Sequence, residues 1–459
     1  MTQCAIIKQW TMVKPAKETL KRRLWLSRLD MVVRGPFSNT PTVYVYYPTL
    51  DNKNDDANNN DDDNNHTPFF DAELLKETLS KVLVDFYPMA GRLRKDENGR
   101  LEIDCNDEGA LFVETETTEY SLSDFGGFEP TLELKKLVTP SWDYSKGLSS
   151  IPLFMVQLTR FKCGGVTLGF ANHHDVADGW GHVLLINSWA RLVRGLGLEL
   201  KPVHERAPYL APRDPPQVKF QHVEFIPPQG LLPGPSGVSL DLEKEAVASS
   251  VFNFTKQQVN YLKQKATSSG VSMRLSTFEV LAGHIWRTTC KARKLADDQE
   301  VRLIIPMNGR RKLKNPALPL GYCGNVIFYP AYIAKAGDVT RNPLSYVASR
   351  IHETLERMND EEYLRSTIDY LETHPNFDAL VRGSHTVRCP NLSLNSWAKF
   401  NMYEADFGWG KPWFAGRAGL PCEGKSYLGT SPNEDGGYAL SICLFAPHMA
   451  LFEKYFYDF

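Results

Sequence analysis

The chain has 459 residues, with 52 Lys and Arg against 54 Asp and Glu, for a net charge of -2. That balance argues against a dedicated nucleic-acid binder, and the length allows two or three domains with ample cores. Hydrophobic residues make up 42% and charged residues 23%, the composition of a globular protein rather than a disordered chain.

The first residues, Met1 to Lys8, show neither the apolar core of a secretory signal nor the Arg-rich pattern of a transit peptide. No apolar run is long enough to span a bilayer. The eight cysteines lie far apart and form no C-x-x-C, so reduced thiols and a cytosolic location are expected. Residues 40–47, TPTVYVYY, alternate β-branched and aromatic side chains and predict a strand. Its alternation places Thr40, Thr42 and Tyr44 on one face. Residues 51–66 hold seven Asn, six Asp and one Lys with no large apolar side chain, which predicts a disordered surface insert. A calcium site is the alternative for it, but the EF-hand glycine and terminal Glu are missing. The charge outside this insert is net +3, a polarity that the total conceals.

Apolar spacing over 71–83 predicts a helix capped by Asp71. Residues 154–159 and 165–170 read as two strands joined by a turn at Cys163–Gly165. A polar loop at 172–179 and a helix over 181–193 follow. Nine prolines between 201 and 239 forbid regular structure and mark a crossover. Beyond it lie a strand at 250–254, a helix at 255–266 and a second helix at 276–290. Ser276 and Glu279 make a capping box for that second helix. The pattern predicts an α/β protein with mixed sheets and two domains. The first is 1–200, carrying the insert 51–66; 201–239 is the crossover; the second is 240–459.

Residues 171–180, ANHHDVADGW, follow an apolar strand and precede a helix, where rigid elements often present reactive groups. Four readings of this turn compete. His174 has a suitable ordinary pKa for a general base. His173, His174, Asp175 and Asp178 are metal-ligand types, but the spacing matches no common zinc motif. A serine hydrolase needs a nucleophile, and no G-x-S-x-G elbow occurs. The fourth reading is a polar turn that caps the next helix, with Asp178 fixing the loop or the imidazole tautomer.

Two motifs carry a family resemblance. His174-Asp175-Val176-Ala177-Asp178-Gly179 resembles the H-x-x-x-D-G signature of the plant BAHD acyl-CoA-dependent acyltransferases. Asp406-Phe407-Gly408-Trp409-Gly410 matches that family's D-F-G-W-G, and order and separation fit as well. The resemblance covers nearly the whole chain. It implies two chloramphenicol-acetyltransferase-like domains with a channel between them, acyl-CoA as co-substrate, no metal and no other cofactor. It also implies His174 as general base and Asp178 as a structural group paired with an arginine, Arg310 being the candidate. Trp409 then offers an indole N–H to the developing oxyanion, while Asp406 and Gly408 shape their turn.

Further stretches resemble the hydroxycinnamoyl-CoA:shikimate hydroxycinnamoyltransferases of that family: 11–16, 29–33, 40–46, and 363–366 through Trp397. They imply a cytosolic plant monomer that moves p-coumaroyl or caffeoyl from CoA to a hydroxyl of shikimate. Quinate, threonate, another hydroxy acid or an amine is the alternative acceptor, and a non-catalytic binder on this fold the alternative class. Arg382 matches the arginine that holds the acceptor carboxylate, a task that suits a planar cationic fork. Thr40, Thr42, Tyr44, Asn395 and Trp397 match pocket positions, with Asn395 where a threonine is usual. Asn still offers a donor and an acceptor to a hydroxyl. Ser276, Thr277 and Arg310 match regions near CoA, although the usual D-G-R-x-R reads Asn308-Gly309-Arg310-Arg311-Lys312.

Overall fold

The computed structural model describes residues 5–33, 41–48, 68–226, 246–267, 273–420, 422–431 and 435–459. Thr40 and the insert 51–66 therefore lie outside the described residues. Two six-stranded mixed sheets organise the rest. The first runs, edge to edge, Ile6–Val13, Ala110–Thr117, Phe154–Phe161, Val166–Asn172, Thr42–Tyr46 and Phe414–Arg417. The second runs Ala331–Lys335, Glu300–Ile304, Leu392–Ser396, Lys425–Thr430, Tyr438–Phe445 and Val247–Phe254. Helices cover both sheets, giving the expected α/β class.

Local signals set the element ends. The helix Ala72–Asp85 is capped by Asp71, whose side chain accepts from the Leu74 N–H at 2.7 Å. The helix Thr277–Ala292 starts on the full Ser276–Glu279 capping box. The strand at 42–46 is buried on both faces, so its alternation does not mark one solvent side. Val43 and Val45 join a small cluster with Phe128 and Val138. Tyr44 and Tyr46 enter the large core instead.

One expectation needs correction. The segment 240–459 is not self-contained, because Phe414–Arg417 leaves it and pairs with Thr42–Tyr46 at the edge of the first sheet. Nothing in the local pattern of 414–417 says which sheet it joins. The large core likewise draws on both halves, from Val13 to Ala415, whereas a second core lies within 252–456. The crossover does run without long regular elements from 201 to 226. It is pinned to the helix Glu361–Thr373 by Arg213, which donates to Asp369 at 2.7 Å and to Glu362 at 2.6 Å.

Candidate active site

The strand Val166–Asn172 delivers the turn 173–178, and the helix Gly179–Val193 leaves it. Asp178 caps that helix, accepting from the Trp180 and Gly181 N–H groups at 3.1 and 3.2 Å. Its carboxylate is also gripped bidentately by Arg310, at 2.6 and 3.0 Å. The Val326 N–H adds a further bond at 3.2 Å. Asp178 is thus spent on holding the turn. Gly181 lets the helix close on this neighbouring segment, since a Cβ there would stand 2.6 Å from the Cys323 carbonyl oxygen.

A second brace was not foreseen from the motif. Asn325 donates from Nδ2 to the His174 carbonyl at 2.7 Å and to Asp30 at 3.1 Å. Asp30 is fully buried and also receives the Asn325 N–H at 2.8 Å. The segment around 325 therefore ties the histidine turn to the stretch 29–33.

Two cavities flank the turn. His173 and Asp175 line one of about 830 Å³, while His174 lines the other, of about 1280 Å³. The larger cavity lies between the two halves. Its wall includes Ser276, Thr277, Arg310, Arg382, Asn395, Trp397, Arg417, Lys425 and Tyr427. Of the expected site residues, Ser276, Thr277, Arg310, Arg382, Asn395 and Trp397 share this wall with His174. Burial pushes the His174 imidazole below its ordinary 6.5, Lys425 and Arg417 act the same way, and Asp178 opposes them. A neutral imidazole near pH 7 is the form a general base needs.

Arg382 is 6% exposed. Its backbone N–H donates to the Val32 carbonyl at 2.7 Å, and its guanidinium lies 4.5 Å from the centre of the Tyr329 ring. The head donates to the Glu224 backbone carbonyl at 3.1 Å. The Glu224 carboxylate is occupied by the Tyr363 hydroxyl at 2.9 and 3.0 Å. Burial lowers Arg382 to about 10, which leaves it charged at neutral pH. It forms no ion pair among the described residues. A buried cation in that state is costly unless a ligand supplies the counter-charge.

Several expected roles meet different geometry. Arg310 is not available to CoA, because its donors are taken by Asp178, Asn308, Tyr322 and Gly324. Ser276 spends its hydroxyl on the helix cap. Thr42 and Tyr44 do not line the cavity. Thr42 Oγ1 bonds His182 Nε2 at 2.9 Å, and the Tyr44 ring packs edge-on against Phe170 at 5.4 Å. Asn395 and Trp397 do line it, Asn395 bonding the Ser426 carbonyl at 3.0 Å and Trp397 meeting Tyr427 at 5.0 Å.

Trp409 is the clearest correction. It stacks on Phe70 at 4.8 Å and is absent from the wall of the His174 cavity. Asp406 folds the motif on itself, accepting from the Gly408 and Gly410 N–H groups at 2.8 and 3.1 Å. Both glycines have a φ of 100°, a region that other residues rarely occupy. Phe407 is fully buried against Trp189 at 5.1 Å. The motif therefore acts as a packing turn, and the oxyanion contact expected of Trp409 has no geometric basis.

Sequence reading passed over Arg417, Lys425 and Tyr427. Arg417 stands opposite Thr42, and Lys425 opposite Ser393. A cation at the end of each short strand was the available signal.

The Transferase family model matches residues 5–459. A shikimate O-hydroxycinnamoyltransferase of Nicotiana tabacum is 48% identical over 453 residues, covering 99% of each chain. The chain belongs to the Transferase family, the BAHD acyltransferases. It is an acyl-transferring enzyme. An anthranilate N-benzoyltransferase of Dianthus caryophyllus is 46% identical over 459 residues, again covering 99% of each. Vinorine synthase shares the fold with a TM-score of 0.71 at 22% identity, over 97% of this chain and 96% of that one. BAHD acyltransferases take CoA thioesters as co-substrates together with an acceptor. No helix among the described residues is long and apolar enough to cross a membrane.

Proposed function

We propose that this BAHD enzyme transfers a hydroxycinnamoyl group, p-coumaroyl or caffeoyl, from CoA to a hydroxyl of shikimate or a related hydroxy acid such as quinate or threonate. The observation that carries the reading is Arg382, buried in the His174 cavity with no ion pair among the described residues. A carboxylate on the acceptor supplies the missing charge and fixes the acceptor's orientation. Similarity to the tobacco shikimate acyltransferase supports the same substrate pair.

In this reading His174 takes the proton from the acceptor hydroxyl while that oxygen attacks the thioester carbonyl. The tetrahedral intermediate collapses and expels the CoA thiolate, and no acyl-enzyme forms. Asp178, Arg310 and Asn325 hold the turn that aims the imidazole. CoA approaches along the wall with Thr277, Arg311 and Lys312, whose charges suit its phosphates. One chain supplies both His174 and Arg382, which fits a monomer, and we take the cytosol as its place of action.

A second reading replaces the hydroxyl by an aromatic amine, because relatives at 46% identity are anthranilate N-benzoyltransferases. Anthranilate also carries a carboxylate, so Arg382 serves either acceptor. The deciding assay supplies p-coumaroyl-CoA with shikimate, quinate, threonate and anthranilate in competition. Thiol release and product mass are followed. Ester products are expected, and amide alone supports the second reading.

A further inference from the structure

The segment 27–33 is tied to both working groups of the His174 cavity, through separate atoms. Ser27 caps the short helix Arg28–Met31, and Leu29, Met31 and Val32 sit in the large core. Asp30, between them, is 0% exposed. One of its carboxylate oxygens accepts from the Ser27 N–H at 2.9 Å and from the Ser27 hydroxyl at 2.6 Å. The other accepts from the Asn325 N–H and Nδ2 at 2.8 and 3.1 Å. Asn325 Nδ2 carries the tie on to the His174 carbonyl at 2.7 Å.

The Ser27-facing oxygen also lies 3.7 Å from Arg206 Nε, an ion pair with both side chains buried. Arg206 in turn donates to the Val176 carbonyl and to the His204 carbonyl, each at 2.6 Å. The turn 173–178 is therefore held at two backbone carbonyls, those of His174 and Val176, by two residues that meet on one carboxylate. Two residues beyond Asp30, the Val32 carbonyl accepts the Arg382 backbone N–H at 2.7 Å, and Val33 bridges Arg382 in parallel register. Each link is a hydrogen bond or a buried ion pair. Breaking one leaves a polar group or a charge unpaired in the interior, so the series of contacts resists drift.

We infer that the segment 27–33 is a strut that fixes the spacing between His174 and Arg382, with Asp30 and Asn325 as positioning residues, and that this spacing selects which hydroxyl of a polyhydroxy acid is acylated. The inference rests on the proposed acid-acceptor reading and deepens it. An acceptor gripped at its carboxylate presents to the imidazole only the hydroxyl that lies at the matching distance. A misplacement of about 1 Å at a reacting centre costs about 10²-fold, so a slight slackening of the strut is readable in the products.

The test uses the full chain with p-coumaroyl-CoA and, separately, shikimate and quinate, whose ring hydroxyls stand at different distances from the carboxylate. Reactions are quenched in acid, and the positional isomers are separated and quantified. The wild-type chain should favour one isomer by about tenfold or more, and that measurement needs no variant to fold. Asn325→Ala removes the link to His174 and leaves Asp30 its Ser27 contacts. Asp30→Asn removes the charge that balances Arg206. In either variant the isomer ratio should fall by about tenfold, the scale of one hydrogen bond, with kcat lowered and the acyl-CoA KM within about threefold. Asn325→Ala carries the test if Asp30→Asn fails to fold. Arg213→Ala, which frees the crossover from the helix Glu361–Thr373, is the stability control: its thermal midpoint should drop with the isomer ratio unchanged. Even acylation of the ring hydroxyls by the wild-type chain overturns the inference. A ratio that survives in the folded variants while transfer falls uniformly also overturns it, and leaves the acid-acceptor reading standing. A wild-type ratio retained in Arg382→Ala overturns the carboxylate clamp and the strut with it. Failure to acylate either acid overturns both readings together.

Discussion

The turns 173–178 and 406–410 look alike in the sequence, each being a short signature that contains an aspartate. The structure separates them. At the first, Asp178 is fully buried, its side chain 0% exposed, and is shared between a helix cap and Arg310. That investment leaves the neighbouring His174 facing a cavity. At the second, the Asp406 side chain is 25% exposed and lies 3.6 Å from Arg194. There the aromatic residues, not a reactive group, are the product: Phe407 and Trp409 pack onto Trp189 and Phe70. A signature motif marks a demanding geometry, and only the surroundings tell whether the demand is chemical or structural.

The sharpest break between the two turns is kinetic. His174→Ala should lower kcat by about 10²–10⁴-fold, the usual worth of a general base, with the thermal midpoint little changed. Near-normal turnover with a folded variant would remove the base. Stability separates the aspartates next. Asp178→Ala leaves Arg310 buried without its partner and should cost about 3–5 kcal/mol. Asp406→Ala loses two turn bonds and a distant, half-exposed ion pair, and should cost about 1–2 kcal/mol. Chemical denaturation measures both, and equal losses would erase the distinction.

A pH profile sharpens the first turn further. The His174 pKa lies below its ordinary 6.5, so the neutral base accumulates as pH rises through that lower value. The acid limb of kcat/KM should therefore fall at a midpoint below 6.5, and a midpoint above 7 would contradict the burial argument. The smallest effect is expected at the second turn. Trp409→Phe keeps a ring on Phe70 and removes the indole N–H. Its kcat should stay within about threefold, whereas an oxyanion donor would cost about 10²–10³-fold.

The sequence made legible what is set locally. Asp71 and Ser276 announce their helices because a cap is satisfied within one turn. The Asp178–Arg310 pair was accessible only through the family resemblance, since its partners meet through tertiary packing. The destination of Trp409 depends on Phe70, and the sheet that Phe414–Arg417 joins depends on Thr42–Tyr46. Neither relation leaves a local trace. Thr42 was placed on the right strand, yet the side chain that reaches the cavity from that neighbourhood is Arg417, its cross-strand partner. Arg417 and Lys425 become a feature only when two strands from different sheets bring them to one wall.

The central claim is that His174 and Arg382 serve one acidic acceptor in one cavity. Separate KM values for acceptor and acyl-CoA in Arg382→Ala test it most directly. The acceptor KM should rise by about 10–100-fold, the worth of a charged hydrogen-bonded contact, while the acyl-CoA KM stays within about threefold. An equal rise in both, or an equal loss with an uncharged alcohol acceptor, would contradict the carboxylate clamp.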